Sequence, residues 1–532
     1  MERTRVGFTI AGVCLGAIIL TFIGCDSSGT GRDKPPTAAI GGQDTAATNS
    51  TPKPDEGEPK LFATWPTEKF AGALLISGEM IGYHEPCGCT ADQKGGLVRR
   101  SVLVDLLKKQ GWKLGLIDLG TLIQDPAKSR DGPDQTRLKF AMTLKALQMM
   151  GYSALGLSVD DLRLGAAETL MQVDNVLGTP DTSLKMVCAN ATPVEGLGFE
   201  TKLVPSLRMP IGPVNVGVTS ILDPAAFEAL NDTSKNDLIT VKPPADVLPA
   251  ILADLEKDTN IQVLMVQGPP ELAKSLAQTY PGFDVVVSTH PFSDPPDKPE
   301  ILNGGNTWLV TAGRKGMYVG VLGLYLDPKE RFRYQRVELN KRYDQYKESA
   351  AAMRSLIGDE FQSNLKSVGV LQSYPKRPYA EFNTPAEAQF VGAETCKDCH
   401  PKTYAHWKTT KHAHAYEPLI SDPRDAGRNR ENDAACVSCH TVGFEFLSGF
   451  VTTEQTPELK GVQCESCHGP ASLHVENPKD SIALQAVKRT FDDFKRNHRC
   501  IQCHDEDNDP HFDWDKYKPQ IDHTGLDKKQ SS

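Results

Sequence analysis

An α/β domain followed by a mostly irregular region of short helices is the architecture the sequence predicts, and three observations carry it. Between about Leu61 and Leu339, strand-like apolar runs alternate with stretches of helical periodicity. The last quarter of the chain repeats Cys-x-x-Cys-His four times, and eleven of the thirteen histidines fall at or after His400. With 532 residues, the chain has room for two or three domains beyond an amino-terminal tether.

Taken in order, Arg3 and Arg5 precede an apolar run from Val6 to Ile23 that ends in Gly24-Cys25, after which composition turns polar at once. Residues 1–25 therefore read as a lipoprotein signal peptide, with Cys25 lipidated as the first mature residue. An uncleaved membrane helix is the rival reading of the same run. Either version places the body outside the cytoplasmic membrane, at its outer face or in the periplasm, on a lipid anchor or an N-terminal helix. Residues 26–60 are Ser, Thr, Gly, Pro and Asp with almost no large apolar residue, which predicts a flexible tether. A formal charge of -10 argues against nucleic acid as a partner and leaves acidic patches free to steer a basic redox protein.

The next span, 61–340, carries strand-like runs at Ala73-Ile76, Leu114-Ile117, Met186-Cys188, Val263-Val266, Asp284-Val287, Trp308-Thr311 and Val319-Leu326. Helical periodicity appears around Leu97-Leu107, Leu138-Met149, Val247-Leu255 and Leu272-Ala277. A core of this size is expected to fold on its own. The local words Glu85-Pro86, Gly95-Gly-Leu-Val-Arg-Arg100, Leu116-Ile-Asp-Leu-Gly120, Gly151-Tyr152, Ala189-Asn190 and Ala312-Gly313 resemble the UshA-like 5′-nucleotidase branch of the metallophosphoesterases. That resemblance implies a sandwich of mixed sheets flanked by helices.

The resemblance also implies a two-metal site, which needs several carboxylate, imidazole and amide ligands to activate water against phosphorus. Those ligands are largely replaced. Glu79-Met80-Ile81 stands where the family's Asp-x-His opens the site, Thr121 replaces an aspartate, and Val159-Asp160 replaces an Asn-His pair. Residues around Gln267-Gly268 and Thr289-His290-Pro291-Phe292 replace the later histidine motifs. Only Glu79, Asp160 and His290 remain as ligand types, so the hydrolase activity is expected to be lost and no metal beyond haem iron is expected.

In exchange the chain has His84-Glu-Pro-Cys87-Gly-Cys89-Thr on the loop after the first strand, at the mouth of that ancestral site. A Cys-x-Cys pair closes into a small strained disulfide that is easily reduced, and Gly88 relieves the backbone crowding. With His84 the two thiols are also a metal-ligand set, and a structural bridge or an inert pair are the remaining readings. The motif resembles a UshA-like group in which one of these thiols is a selenocysteine or cysteine thought to be redox-active. Cys87 and Cys89 are thus a candidate redox pair. Cys188, in a strand-like run, reads as a buried apolar residue.

Residues 341–389 read as a helix around Lys341-Ile357 and a proline-rich extended linker, with the domain boundary expected between Asn364 and Thr384. Beyond it stand Cys396-Lys-Asp-Cys399-His400, Cys436-Val-Ser-Cys439-His440, Cys464-Glu-Ser-Cys467-His468 and Cys500-Ile-Gln-Cys503-His504. In such a motif two thiols reach the vinyl groups of one porphyrin and the histidine lies under its iron. Zinc, the competing reading, has no need of a histidine directly after the second cysteine, and each copy has one. Four covalently bound haem c groups are therefore expected, with His400, His440, His468 and His504 as proximal ligands. The region should hold little regular structure beyond short helices, because porphyrins replace side chains as its core.

Seven histidines remain for the second axial position: His406, His412, His414, His474, His498, His511 and His523. Phe390-Val-Gly-Ala-Glu-Thr-Cys-Lys-Asp-Cys-His400 with Tyr404, Trp407 and Lys411-His-Ala-His-Ala-Tyr416 resembles the first-haem region of cytochrome c-554-type tetrahaem proteins. Gly461-Val-Gln-Cys-Glu-Ser-Cys-His-Gly-Pro470 followed by His474 is similar to another haem site of that family. The resemblance covers about 390–511, leaving 512–532 as a tail. It implies His412 or His414, His474 and His498 as distal candidates, haems stacked in close pairs, and in some members one five-coordinate iron. The expected function is electron transfer by an anchored periplasmic multihaem cytochrome working with redox protein donors and acceptors, with Cys87/Cys89 as a candidate coupled site. The alternatives are an oxidoreductase acting on a small nitrogen or sulfur species at a five-coordinate haem, and a phosphoesterase with a cytochrome tail.

Overall fold

The computed structural model describes residues 61–527 apart from 87–92, 179–182, 197, 199–200, 235–236, 293, 382 and 422–428, and the backbone alone of 231–234. All of these residues belong to one compact unit beginning at Gly57. The expected signal and tether, including Cys25, lie outside the described residues, as do Cys87 and Cys89. Among the described residues no helix is long and apolar enough to cross a membrane.

Two sheets pack face to face. The first has seven strands in the order Phe332–Glu338, Tyr318–Tyr325, β1 (Phe70–Ser77), β2 (Leu114–Asp118), Ala154–Gly156, Lys185–Val187 and Leu203–Val204. β1 runs parallel to β2 and antiparallel to Tyr318–Tyr325, so the sheet is mixed. The second has six strands in the order Glu300–Leu302, Thr307–Thr311, Val285–Ser288, Ile261–Gln267, Val214–Leu222 and Ser206–Ile211. Its interior pairs are parallel and its edge pairs antiparallel.

Strands buried on both faces need continuous apolar runs, which is why Ala73-Leu-Leu-Ile76 lacks a polar alternation. Leu74 and Ile76 turn inward against Val216, Val218, Val263 and Met265 of the second sheet. Ala73 and Leu75 turn outward against α1 (Leu97–Lys109) and α2 (Gly132–Met150), which contribute Val102, Leu103, Phe140, Leu144 and Leu147. Each fully buried Leu or Ile contributes about 1.5–3 kcal/mol. Helices Pro244–Leu255 and Pro270–Thr279 cover the far face of the second sheet through Leu248, Leu255, Ala273 and Ala277. The result is the expected α/β sandwich of mixed sheets flanked by helices.

α1 holds two buried arginines, so its sheet-facing side is not purely apolar. Arg100 and Asp118 are fully buried 3.2 Å apart, and Ser77 Oγ donates to the same carboxylate at 2.6 Å. α2 begins with Pro133 in its first turn and ends at Gly151, whose φ of 89° closes the helix in a left-handed cap. Past β2, Gly120 has φ 104°, and a Cβ there would lie 2.4 Å from the Gly156 carbonyl oxygen.

The helical character expected for Lys341-Ile357 is a longer, broken rod. It runs through Lys347–Arg354, a π-helical turn Ser355–Glu360, Phe361–Val368 and Val370–Ser373. Its Phe361, Leu365, Val370 and Leu371 join the α2 core, and that core continues into Tyr379, Phe390, Tyr416, Val437, Phe444 and Phe450. The expected boundary between 364 and 384 is therefore no break in packing. Beyond Phe390 the helices are short, the longest being Pro401–Lys408 and Trp514–Ile521 at 8 residues each.

Candidate haem centre and its contact with the sandwich

Each Cys-x-x-Cys-His word folds as a single tight turn. In the first and fourth, the histidine N–H donates to the carbonyl of the leading cysteine at 2.9 Å, in His400 to Cys396 and His504 to Cys500. The second and third lie on helices Ala434–His440 and Cys464–His468. One helical turn brings the leading cysteine and the histidine to the same face, where one porphyrin meets both.

The motifs do not sit in space as they sit in sequence. Cys396 touches Cys464, linking the first and third, and Cys439 touches Cys503, linking the second and fourth. Arg499 lies between the third and fourth: its Nε donates to Ser466 O at 2.7 Å, and its charge acts on Cys467, Cys500 and Cys503. The spatial order is thus first, third, fourth, second.

Histidines pair across this line. The rings of His412 and His504 have centroids 6.2 Å apart, and those of His468 and His523 are 5.9 Å apart. An iron between two imidazoles lies about 2 Å from each nitrogen, which puts the ring centroids roughly 6 Å apart, so both pairs fit a shared iron. His474 lies near His400, close enough to feel its charge. Burial pushes the His412 and His468 imidazoles down to about 4, which keeps them in the neutral form that ligates metal. His468 Nδ1 faces Val487 O at 2.8 Å and His504 Nδ1 faces Asp509 Oδ2 at 2.7 Å, contacts that fix ring orientation and leave Nε2 for iron. His440 Nδ1 is bonded to Ala415 O, and among the described residues no ring contact of this kind involves His440.

The other candidates are placed differently. His414 is exposed and both its nitrogens are engaged, Nδ1 with Glu417 Oε1 at 2.7 Å and Nε2 with Lys408 O at 3.1 Å. His498 is exposed at a left-handed φ of 52°. His523, absent from the resemblance-based candidates, comes from the segment expected to be a tail. There, helix Trp514–Ile521 is capped by Asp513, and Asp527 accepts the Lys402 and Thr403 N–H groups at 3.0 and 2.9 Å, tying the segment to the first motif. The surplus of histidines was the one sequence signal that pointed to it.

Residues 395–469 match the family described as cytochrome c554 and c-prime. Cytochrome c-554 of Nitrosomonas europaea is 31% identical over 138 residues, 22% of this chain and 59% of that protein. The carboxy-terminal region carries a cytochrome c554-type domain. The multihaem cytochrome MtrA of Shewanella baltica is 28% identical over 79 residues, 14% of this chain and 23% of that one, so the chain spans only part of either relative. Covalently attached haem c follows for this region. Over the sandwich, the 5′-nucleotidase precursor of Thermus thermophilus aligns with 18% identity and a TM-score of 0.44, covering 54% of this chain and 59% of that one. The NAD nucleotidase NadN of Haemophilus influenzae aligns with 12% identity and a TM-score of 0.45, covering 62% and 71%.

The cytochrome domain is bonded to the sandwich at its second and fourth motifs. Gln135 of α2 donates to Asp433 Oδ1 at 2.7 Å and accepts the Ala434 N–H at 2.9 Å, so a side chain from the sandwich caps the second-motif helix. Arg130, just before α2, donates to Gln502 O at 2.6 Å and Asp505 Oδ2 at 2.9 Å. Asp507 receives Tyr83 OH at 2.5 Å and Lys315 Nζ, and its carbonyl receives Gln93 Nε2 at 3.2 Å. Glu85 pairs with Arg430. Tyr83 and Glu85 precede residues 87–92 and Gln93 follows them, so the chain on either side of Cys87 and Cys89 is fastened to the cytochrome domain.

Of the three ligand types expected to remain, Glu79 meets the His290 backbone and feels the charge of Asp160. Glu79, at φ 48°, accepts the His290 N–H at 3.1 Å and lies 3.6 Å from Arg314; burial raises its carboxyl to about 7. Asp160 pairs instead with Arg163 at 2.8 Å. Asp161 points inward, accepting the Thr121 and Leu122 N–H groups at 3.1 and 2.8 Å. Thr121 holds a φ of 62°, a strained conformation for a β-branched residue. Among the described residues no group of three or more His, Cys, Asp or Glu is arranged to hold a metal ion. His84, the alternative ligand beside the thiols, is buried against Phe361, with Nε2 on Thr143 Oγ1 at 2.7 Å and Lys139 O at 3.0 Å.

Proposed function

We propose that the protein is an envelope-anchored, periplasmic tetrahaem cytochrome whose second and fourth haems exchange electrons with a Cys87/Cys89 redox pair on the sandwich. The observation that carries this reading is the fastening of the chain on either side of Cys87 and Cys89, through Tyr83, Glu85 and Gln93, to the cytochrome domain. Closing Cys87 and Cys89 into a disulfide would release two electrons and two protons, the electrons passing to bound haem and the protons to solvent. The lipid on Cys25, or a retained amino-terminal helix, holds the body at the membrane, where a redox protein partner supplies or removes the remaining electrons.

Bound iron porphyrin supplies one-electron chemistry with little change of geometry when both axial positions are filled. His400, His440, His468 and His504 provide the proximal nitrogens. His412 would hold haem together with His504, His523 together with His468, and His474 together with His400. A second reading, reduction or oxidation of a small nitrogen or sulfur species, rests on the resemblance, in which some members keep one iron five-coordinate.

The test is stopped-flow reduction of the haems by a small dithiol in the full-length protein and in a Cys87→Ser, Cys89→Ser double variant. The reading expects the double variant to lose the fast phase of haem reduction. Equal traces would remove the thiols from the electron path.

A further inference from the structure

The proximal rings are held by different acceptors. His468 Nδ1 meets Val487 O at 2.8 Å and His440 Nδ1 meets Ala415 O, both neutral backbone carbonyls. His504 Nδ1 meets Asp509 Oδ2 at 2.7 Å, and among the described residues His504 is the one motif histidine whose ring is hydrogen-bonded to a carboxylate. The cations nearby are engaged elsewhere: Arg130 with Asp505, Arg499 with Glu381 and Lys315 with Asp507. Among the described residues no Lys or Arg is ion-paired with Asp509, whose side chain is 17% accessible, so its charge is directed at the His504 ring.

The surrounding chain holds this bond in place. Asp505 accepts the Asp507 and Asn508 N–H groups at 3.1 and 2.7 Å, and its two oxygens also accept Asn508 Nδ2 at 2.9 and 3.1 Å. The Asp509 N–H donates to Asp505 O at 2.8 Å, closing a turn that returns the Asp509 carboxylate to a histidine five positions earlier. Arg130 of the sandwich holds the same Asp505 at 2.9 Å. On the other side of Asp509, the Phe512 N–H donates to Asp509 O at 2.9 Å. The Phe512 ring stacks on His504 with centroids 4.8 Å apart and planes at 24°, and Tyr517 stacks on Phe512 at 5.5 Å and 9°. The imidazole is fixed at its Nδ1 edge and on one face.

A hydrogen bond to a carboxylate is charge-assisted and about twice as strong as one to a neutral carbonyl. It draws the Nδ1 proton away from the ring and makes Nε2 a more basic ligand. A more basic axial ligand favours ferric over ferrous iron. We propose that Asp509 is a positioning residue that gives His504 partial imidazolate character and thereby lowers the midpoint potential of the fourth haem, a control that His440 and His468 lack on their backbone carbonyls. The proposal rests on the electron-carrier reading and names the residue that sets one of its potentials. The haem so tuned belongs to the motif that Arg130 ties to the sandwich.

Spectroelectrochemical titration of the full-length haem-loaded protein, with electron paramagnetic resonance of its oxidised form, tests it. Asp509→Asn keeps the shape and an acceptor oxygen but removes the charge. It should raise one midpoint of the four by at least one tenfold step in the redox equilibrium, about 59 mV for a one-electron couple. One low-spin ferric signal should change its g values, and the other three haems should hold theirs. Asp509→Glu, which keeps the charge one methylene further out, should fall between wild type and Asp509→Asn; it carries the test by itself if Asp509→Asn loses its haems. Midpoints that all stay put, or four that move together, overturn the assignment while leaving the electron carrier intact. A preparation with no haem band refutes the electron-carrier reading and the tuning with it.

Discussion

At the scale of single residues, the cytochrome domain is decided by which histidines face which. His412→Ala and His523→Ala should each convert one low-spin ferric signal to high-spin in electron paramagnetic resonance, because each removes a ring from a pair near 6 Å. His414→Ala and His498→Ala should leave the spectrum alone. A high-spin signal already present in the wild type would mark the iron of His440. His84 gives a second prediction. Burial lowers its imidazole from 6.5 to about 3, so between those limits the unfolded chain binds a proton that the folded chain refuses. Stability is therefore full above about pH 6.5 and declines as pH falls toward 3, by a few kcal/mol in all. His84→Gln should flatten that part of the pH profile in chemical denaturation; an unchanged profile would place the acid sensitivity elsewhere. The four Cys-x-x-Cys-His words, and with them the expectation of covalent haem, were legible because that spacing is covalent chemistry written in sequence. Distal partners were not, since His523 and His468 meet only through folding of the last helix.

At the scale of elements, strands buried on both faces were readable as continuous apolar runs in Ala73-Ile76 and Val263-Val266, whereas the equally buried Val214–Leu222 was not, its run being broken by Asn215, Gly217, Thr219 and Ser220. Strands Ser206–Ile211 and Phe332–Glu338 were not read, because each lies at a sheet edge and carries polar residues on its open face. α2 does more than cover the sheet. Its Gln135 caps the second-motif helix, and its Lys139 pairs with Asp131 at 2.7 Å in a nearly buried setting. Gln135→Ala strands the Ala434 N–H and should cost about 1–2 kcal/mol in denaturant unfolding of the haem-loaded protein. A loss near zero would mean that the cap is supplied by Asp433 alone, whose side chain accepts the Ala435 N–H.

At the scale of the whole molecule, sandwich and cytochrome domain share one apolar cluster, yet only one of them owes its interior to porphyrin. Protein made without haem attachment should keep slow amide exchange in Leu74-Ile76 and Val263-Val266, and lose it across 390–527 and at the first turn of α2. Uniform loss throughout would show that the sandwich cannot stand without its partner. By itself the sequence determined the chemistry, since Cys-x-x-Cys-His spacing dictates covalent haem, and it determined the sandwich, since apolar period and length dictate strand and helix. Only the tertiary structure decided the order of the motifs, the histidine pairs, and the seating of Glu85 beside the second motif and of Tyr83, Gln93 and Arg130 beside the fourth. Those contacts join positions hundreds of residues apart through single hydrogen bonds and ion pairs, and no local pattern in the chain encodes them.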